Sequence, residues 1–147
     1  MALFKNMTIE IRPYQESDEV SVVQIWTDCE LVAPWNDPHR DCQRKLKVQS
    51  EMFLVGCING QIVSTVMIGY EGHRGWINYL AVHPDYQGAG IGKRMMEEAE
   101  IILGKSGCPK INLQVRSTNL NVIEFYKKIG YKTDDVVSLG KRLSPDV

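Results

Sequence analysis

The sequence lacks the features that mark several large classes of protein. Its 17 Lys and Arg against 18 Asp and Glu give a formal net charge of −1, without the basic excess that nucleic-acid-binding proteins show. Its four cysteines contain no Cys-x-x-Cys pair, which argues against a disulfide framework or a structural zinc site. No apolar run approaches the roughly 20 residues that span a membrane, and the N-terminus is too polar after Phe4 for a signal peptide. These absences predict a cytoplasmic protein with free thiols.

What the sequence does contain is an ordinary globular composition, with 44% hydrophobic and 24% charged residues. A chain of 147 residues can bury a hydrophobic core of its own and has no room for a second domain. We therefore predict a single domain over residues 1–147, in which residues 1–7 form a disordered or non-core N-terminal extension.

The hydrophobic pattern predicts both strands and helices. Polar and apolar residues alternate in the expected strands, and apolar residues recur at helical spacing in the expected helices. Asn59-Gly60 is a strong hairpin signal, because both residues accept positive φ. Strands are predicted at 8–12, 52–58, 61–70, 76–82, 111–116, 131–133 and 136–143, and helices from 17 or 18, over 38–49, around 91–102 and over 119–129. The order β-α-α-β-β-β-α-β-α-β predicts a mixed α/β sheet.

A glycine-rich turn is the most informative segment. Gly88, Gly90 and Gly92 fall between a predicted strand and a predicted helix. Glycines let the backbone approach a ligand closely, and a helix N-terminus offers unpaired N–H groups with a positive dipole. The segment therefore predicts a phosphate cradle, although a simple turn before a helix would use the same residues.

Two common phosphate-binding motifs do not fit this turn. A dinucleotide fingerprint requires glycine at position 93, where the sequence has Lys93. A P-loop requires glycine at position 87 and Ser or Thr at position 94, where the sequence has Gln87 and Arg94. The ligand is therefore expected to belong to another class.

Two segments resemble a known family. Gln87-Gly-Ala-Gly-Ile-Gly92 resembles the Q/R-x-x-G-x-G/A signature of the GNAT superfamily of acyl-CoA-dependent N-acyltransferases. Residues 119–131 resemble its second signature, N-x-x-A-x-x-F/L-Y-x-x-x-G-F/Y, with Val122 at the alanine position. The element order also resembles the family's mixed, mostly antiparallel central sheet with flanking helices, so the resemblance covers nearly the whole chain. Three shorter segments are similar to a bacterial subgroup, the YpeA-type acetyltransferases: residues 34–38, 70–75 and 107–110.

The resemblance implies acetyl-CoA as co-substrate and assigns the residues that hold it. Loop amides would bind the coenzyme A pyrophosphate, and the end of the fourth strand would pair with the pantetheine arm like an added strand. That pairing needs an open edge, so strands 76–82 and 111–116 are expected to part near their C-terminal ends. Asn119 would contact the pantetheine amides, or it caps the following helix. The implied cofactor-binding residues are Leu80, Ala81, Val82, Gln87, Gly88, Ala89, Gly90, Ile91, Gly92, Lys93, Asn119 and Tyr126.

Tyr126 is the residue that the resemblance places at the leaving group. It follows Asn119 by seven residues, two helical turns, so both share one helix face. The resemblance implies that its hydroxyl hydrogen-bonds the sulfur and protonates the thiolate. Because a thiol pKa of about 8.5 lies below a phenol pKa of about 10, that proton transfer is slightly uphill. A tyrosine packed under the sheet is the alternative.

The general base and the acceptor pocket are less well marked. A lysine-type amine has a pKa of about 10.4 and must lose a proton before it attacks. The fourth strand contains no carboxylate or histidine, so Glu71 and His73, just before it, are the candidate catalytic bases, acting directly or through water. Trp35, Asn36 and Asp37 lie where the family builds its acceptor pocket, so they are candidate substrate residues, and a structured turn is the alternative.

These features together predict an acetyl-CoA-dependent N-acetyltransferase. We expect direct transfer to a primary amine in a ternary complex, because no cysteine lies in a nucleophile motif. A non-catalytic acyl-CoA-binding sensor on the same fold and a nucleotide-binding module are the alternatives. The expected partners are acetyl-CoA and an unidentified amine, with no nucleic acid, membrane or metal, and the protein is expected to be a monomer or a homodimer.

Overall fold

The computed structural model describes residues 8–146, so the prediction for residues 1–7 lies outside the described residues. The strands are β1 (Glu10–Pro13), β2 (Phe53–Ile58), β3 (Gln61–Tyr70), β4 (Gly75–Val82) and β5 (Ile111–Leu113). The helices are α1 (Glu19–Asp28), α2 (Pro38–Lys45), α3 (Ile91–Lys105) and α4 (Leu120–Lys128), and short 3-10 turns lie at Glu16–Asp18, Ser50–Met52 and Pro84–Tyr86. No helix within residues 8–146 is both long and apolar enough to cross a membrane.

The five strands form one sheet in sequence order, β1-β2-β3-β4-β5. The first three pairings are antiparallel, and β4 with β5 is parallel. The hairpin between β2 and β3 turns at Asn59 and Gly60, whose φ angles are +50° and +76°. The predicted mixed, mostly antiparallel sheet with flanking helices is therefore confirmed.

Helices cover both faces of the sheet, because side chains alternate along each strand. In β2, Phe53, Val55 and Cys57 pack toward α1 and α2, whereas Leu54 and Ile58 pack toward α3 and α4. Fully burying each aliphatic or aromatic side chain of this kind contributes about 1.5–3 kcal/mol. The buried helix residues are Val22, Val23, Ile25, Trp26 and Cys42 on one face, and Ile91, Met95, Met96, Ala99, Leu103 and Tyr126 on the other.

The end of β3 extends beyond its neighbour β2, which begins at Phe53 opposite Met67. Side chains replace the missing strand there. The Lys45 ammonium donates to the Ile68 carbonyl at 2.5 Å, and burial lowers the pKa of Lys45. The Gln49 amide pairs with the backbone N–H and carbonyl of Tyr70 at 3.0 and 2.8 Å. The last residue of α2 and the segment that follows it therefore satisfy an edge that would otherwise be left with unpaired backbone groups.

Several predicted elements end earlier than expected. Helix α2 stops at Lys45 rather than residue 49, and β5 stops at Leu113 rather than residue 116. Asp18 precedes α1 but does not cap it with its side chain. Its carboxylate instead binds the Arg12 guanidinium, with its shortest contact at 2.7 Å, and accepts from the Gln15 N–H at 2.8 Å.

The prediction of terminal strands was wrong for the described residues, because residues 131–146 contain no strand. This segment follows β5 through side chains instead of a backbone ladder. Asp134 accepts from Lys110 at 3.0 Å and from Asn112 at 2.7 Å. Since β5 has only three residues, it offers few backbone groups for another strand to pair with. The apolar residues that suggested a strand are largely exposed: Val136, Val137, Leu139 and Leu143.

Candidate functional site

An open strand edge lies where β4 parts from β5. β4 pairs with β5 only through Gly75, Trp76 and Ile77, so residues 78–82 have no partner on that side within the described chain. The predicted parting of the two strands is confirmed. The Val82 carbonyl at the end of β4 accepts from the Gln87 amide at 2.9 Å, which fixes the following loop against the strand.

A β-bulge in the β3–β4 pairing lies where β4 leaves β5. The register shifts opposite Thr65–Met67, and Tyr79 has φ of +51°, a conformation that costs a non-glycine residue about 1–2 kcal/mol. The bulge changes which face each side chain meets. Ile77 and Leu80 both pack toward α3, whereas Tyr79 packs toward α1 and α2.

Buried contacts hold the bulge in place. The Thr65 hydroxyl donates to the Tyr79 carbonyl at 2.7 Å and accepts from the Trp26 indole N–H at 2.9 Å. The Trp26 and Tyr79 rings stack with centroids 3.7 Å apart. The Tyr79 hydroxyl donates to Asp41 Oδ2 at 2.6 Å, and burial raises the pKa of Tyr79. Sequence reasoning missed this network, because the contacts join residues distant in the chain and no local motif marks them.

The glycine-rich loop leads from the end of β4 into α3. Gly88 and Gly90 have φ of +79° and +83°, which favours glycine at both positions. Gly90 is the residue before the helix, no side chain caps it, and the first turn contains no acidic residue. The first N–H groups of α3 therefore keep their positive potential for a ligand.

Gly92 explains how the two signature segments meet. A Cβ atom at this position would lie 3.3 Å from Phe125 Cζ and 3.8 Å from Val82 Cγ2. The start of α3 is therefore packed closely against α4 and the end of β4. The glycine-rich loop, the end of β4 and helix α4, which carries the second signature, therefore lie together in the fold.

Tyr126 is buried beside this junction, with 8% of its surface exposed. Its ring lies edge-on to Phe125 and Tyr131, with centroids 5.1 and 5.7 Å away. Burial raises the pKa of Tyr126 to about 12, so the hydroxyl is a protonated donor at neutral pH. Asn119 precedes α4, is exposed and makes no capping hydrogen bond with its side chain.

The candidate bases lie at the other end of β4. The Glu71 carboxylate accepts from the Arg74 N–H at 2.6 Å, and His73 contacts the same arginine. This turn precedes Gly75, where β4 and β5 are still paired. At about 3.3 Å per residue, a strand of this length separates the turn from the glycine-rich loop by more than 20 Å. Within residues 8–146, neither Glu71 nor His73 makes a hydrogen bond with Tyr126, and their role stays a prediction.

The three candidate acceptor residues have different surroundings. Asp37 caps α2 by accepting from the His39 N–H at 2.9 Å, as a structured turn requires. The Asn36 side-chain oxygen Oδ1 accepts from the Arg142 guanidinium at 2.7 Å. Trp35 is half-exposed, and the Arg116 guanidinium lies 5.3 Å from its ring centroid.

Trp35 also lines an open cavity of about 710 Å³, formed with Arg44, Asp146 and residues 140–144. Asp146 anchors the C-terminal segment there. Its carboxylate accepts from Arg44 at 2.5 Å and from the Asp37 N–H at 2.9 Å, and these hydrogen bonds lower its pKa to about 2. Arg44 also donates to Asp41 at 3.1 Å. A continuous chain of contacts thus links the cavity to the bulge.

Comparisons with known proteins agree with this arrangement. Residues 20–131 match the sequence model of the acetyltransferase (GNAT) family. A curated acetyltransferase of Yersinia pestis is 48% identical over 138 residues, covering 94% of this chain and 98% of the relative. The crystal structure of Ard1 from Thermoplasma volcanium has a TM-score of 0.75 at 23% identity, covering 83% of this chain and 81% of that one. A predicted acetyltransferase from Clostridium acetobutylicum, crystallised with acetyl-CoA, has a TM-score of 0.68 at 20% identity, covering 90% of this chain and 96% of that one.

Proposed function

Because the chain belongs to the acetyltransferase (GNAT) family, we propose that it transfers the acetyl group of acetyl-CoA directly to a primary amine in a ternary complex. The observation that carries this proposal is the open edge of β4, which leads straight into the glycine-rich loop and the uncapped start of α3. These parts suit an elongated ligand that has a peptide-like arm and a diphosphate.

The cofactor would be held mainly by the backbone. The loop amides from Gln87 to Lys93 and the positive end of α3 would bind the pyrophosphate. The edge of β4 from Leu80 to Val82, which has no strand partner on the β5 side within residues 8–146, would pair with the pantetheine arm, and Asn119 would contact its amides. Backbone binding of phosphates is consistent with a formal net charge of −1, because amide groups do not enter the charge count.

The reaction requires a neutral amine, a polarised carbonyl and a stabilised leaving group. The amine nitrogen attacks the thioester carbonyl carbon, the C–N bond forms and the C–S bond breaks, and coenzyme A leaves as a thiolate. A backbone N–H near the bulge at Tyr79 would stabilise the negative oxygen of the intermediate. The amine proton passes to a base or through water to solvent.

Tyr126 would act on the sulfur. Its pKa of about 12 lies well above the thiol value of about 8.5, so complete proton transfer to the thiolate would be uphill by about 5 kcal/mol. A hydrogen bond from the hydroxyl to the developing thiolate needs no such transfer and stabilises a charged acceptor by about 1.5–3 kcal/mol. We therefore assign Tyr126 as a hydrogen-bond donor to the leaving group, with solvent completing the protonation.

Glu71 and His73, on a turn remote from the glycine-rich loop, stay our candidates for the base, acting directly or through water. That remoteness also favours a second candidate function, a sensor that binds acyl-CoA without turnover. The two functions differ in one measurement, the release of coenzyme A with a panel of amines.

The test is to incubate the protein with acetyl-CoA and the amine panel and to follow thiol release and acetylated product. Transfer to any amine supports the enzyme, whereas binding without turnover across the panel supports the sensor. Protein that becomes acetylated without an acceptor would contradict direct transfer. Thermal-shift measurements with acetyl-CoA, ATP and NAD test the ligand itself, and stabilisation by ATP alone would overturn both functions.

We also propose a reducing compartment, the cytoplasm, as the place of action. All four cysteines are free thiols: Cys29, Cys42, Cys57 and Cys108. Free thiols persist where cellular reductants are present.

A further inference from the structure

The cavity beside Trp35 differs from the rest of the chain in its charge. Its lining contains the cations Arg44, Lys141 and Arg142 and one carboxylate, Asp146. Three positive groups against one negative group leave a local excess of two positive charges, in a chain whose formal net charge is −1. Arg116, over the ring of Trp35, adds a further cation at the edge.

Ion pairs within the protein do not neutralise this excess of positive charge. Asp146 is 4% exposed and is satisfied by Arg44 and the Asp37 N–H, at 2.5 and 2.9 Å. Arg142 lies 3.9 Å from the same carboxylate and hydrogen-bonds the neutral Asn36 amide. Lys141 is exposed and makes no ion pair within residues 8–146. Lys141 and Arg142 therefore keep positive charge for a ligand.

The cavity also has a defined orientation relative to the bulge. Arg44 joins the cavity to Asp41 at 3.1 Å, and Asp41 accepts from the Tyr79 hydroxyl at 2.6 Å. The Asp41 carboxylate, shared between Arg44 and Tyr79, thus lies on the side of the bulge. Lys141, which makes no ion pair within residues 8–146, and Arg142, whose nearest carboxylate is 3.9 Å away, lie on the side of the C-terminal segment. Such a polarity suits a molecule with an ammonium group at one end and an anion at the other.

We propose that the acceptor amine carries an anionic group, a carboxylate or a phosphate, that is bound by Lys141 and Arg142 in this cavity. This inference rests on the proposed acetyl transfer and names the class of its acceptor. The anion is bound by charge at a partly exposed site, so salt weakens the preference.

The experiment uses amines matched in all but the anion. The pairs are 6-aminohexanoate with 6-aminohexanamide, 4-aminobutanoate with 4-aminobutanamide, and phosphoethanolamine with ethanolamine. In the six-carbon pair the amine is far from the carboxyl group, so its own pKa differs little between the two compounds. We expect kcat/KM to be about tenfold higher for the anionic member of at least one pair, with the ratio falling as salt is raised from about 0.05 to 0.5 M.

A matched pair of variants locates the effect. Lys141→Gln is expected to raise KM for the anionic amine about three- to tenfold, to leave KM for its neutral partner and for acetyl-CoA unchanged, and to reduce the salt dependence. Lys105→Gln removes the same charge from the exposed end of α3 and should change none of these values.

The outcomes separate this inference from the proposed function. Transfer to amines without a preference for the anionic members would overturn the inference and leave acetyl transfer standing. An anionic preference that Lys141→Gln does not reduce would also overturn it, because the binding site would then lie elsewhere. No transfer from acetyl-CoA to any amine would overturn the proposed function, and this inference with it.

Discussion

The hydroxyl of Thr65 satisfies two buried groups at once. It accepts from the Trp26 indole and donates to the Tyr79 carbonyl, and both Thr65 and Trp26 are fully buried. Thr65→Val keeps the shape of the side chain but leaves a buried donor and a buried acceptor unpaired. Each unsatisfied group costs about 1–3 kcal/mol, so we expect the free energy of unfolding to fall by about 2–6 kcal/mol.

Denaturant unfolding measures this loss, and Thr65→Ser is its control. Serine retains the hydroxyl and lacks only a methyl group, so it should lose about 1 kcal/mol. Equal losses in the two variants would mean that packing, rather than the hydroxyl, holds the bulge.

Tyr126→Phe tests the residue proposed at the leaving group. We expect kcat to fall about 10- to 100-fold, because the hydrogen bond to the developing thiolate is lost. KM for acetyl-CoA should change little. Stability should change by less than about 1 kcal/mol, because the hydroxyl makes no hydrogen bond within the described residues. An unchanged kcat with a correctly folded variant would remove Tyr126 from the mechanism.

The pH dependence of Tyr126 follows from its burial. Its pKa of about 12 in the folded state lies above the unfolded value of about 10, so the folded state binds the proton more tightly. This contribution to stability is fully present below pH 10 and is lost as the pH rises through about 12. Ionisation of Tyr126 should therefore not reduce activity between pH 7 and 9.

For individual residues, the sequence predicts functional roles where the residues belong to local motifs. It does not predict contacts between residues that lie far apart in the chain. The glycines, Asn119 and Tyr126 were identified through short signatures, and the fold brings their segments together at Gly92. Tyr79 and Asp41 carry no such signature. Their contact depends on how α2 packs over β4, which no local pattern records.

Two glycines at opposite ends of α3 make a matched test at the scale of the element. Gly90 has φ of +83°, so alanine there is strained although no atom lies within 4 Å of its Cβ. Gly90→Ala should lower stability by about 1 kcal/mol and weaken acetyl-CoA binding, because the loop amides would shift. Gly104 has open space and no positive φ.

Gly104→Ala should raise stability by about 0.5–1 kcal/mol and leave acetyl-CoA binding unchanged, because alanine favours a helix interior. Thermal unfolding and calorimetric titration with acetyl-CoA measure both effects. Similar behaviour of the two variants would show that the left-handed turn at Gly90 is not required for the loop.

Periodicity predicts what a segment can become, but a strand also needs a partner. The hydrophobic patterns of β2, β3 and β4 were sufficient to predict these strands, because each strand pairs with its neighbour in the sequence. Residues 136–143 have a similar strand-like pattern, yet the adjacent β5 pairs over only three residues. The C-terminal segment is held by side chains such as Asp134 and Asp146, and these contacts are not visible in a hydrophobic pattern.

Asp146 connects the C-terminal segment to the body of the molecule. Because Arg44 and the Asp37 N–H hold its pKa at about 2, below the unfolded value of about 3.9, its contribution to stability is present above pH 4. It is lost as the pH falls through about 2. Asp146→Asn should therefore lower Tm at pH 7, and its difference from the wild type should shrink between pH 4 and pH 2.

Asp135→Asn is the control for this variant, since it removes a carboxylate from an exposed position of the same segment. Its Tm should match the wild type at every pH. A difference between Asp146→Asn and the wild type that persists at pH 2 would show that the carboxylate does not anchor the segment through its charge.

The order of strands in the sheet has a consequence for how the chain folds. β2, β3 and β4 form a continuous meander joined by short turns, so their pairing closes only small loops. Pairing of β1 with β2 must close a loop formed by residues 14–52. The parallel pairing of β5 with β4 requires the crossover through α3, which is a longer connection than the turns of the meander. Loop-closure entropy favours the meander as the folding nucleus, with β1 and β5 added afterwards. The open edge of β4, where we propose that the cofactor binds, would then be among the last parts of the sheet to form.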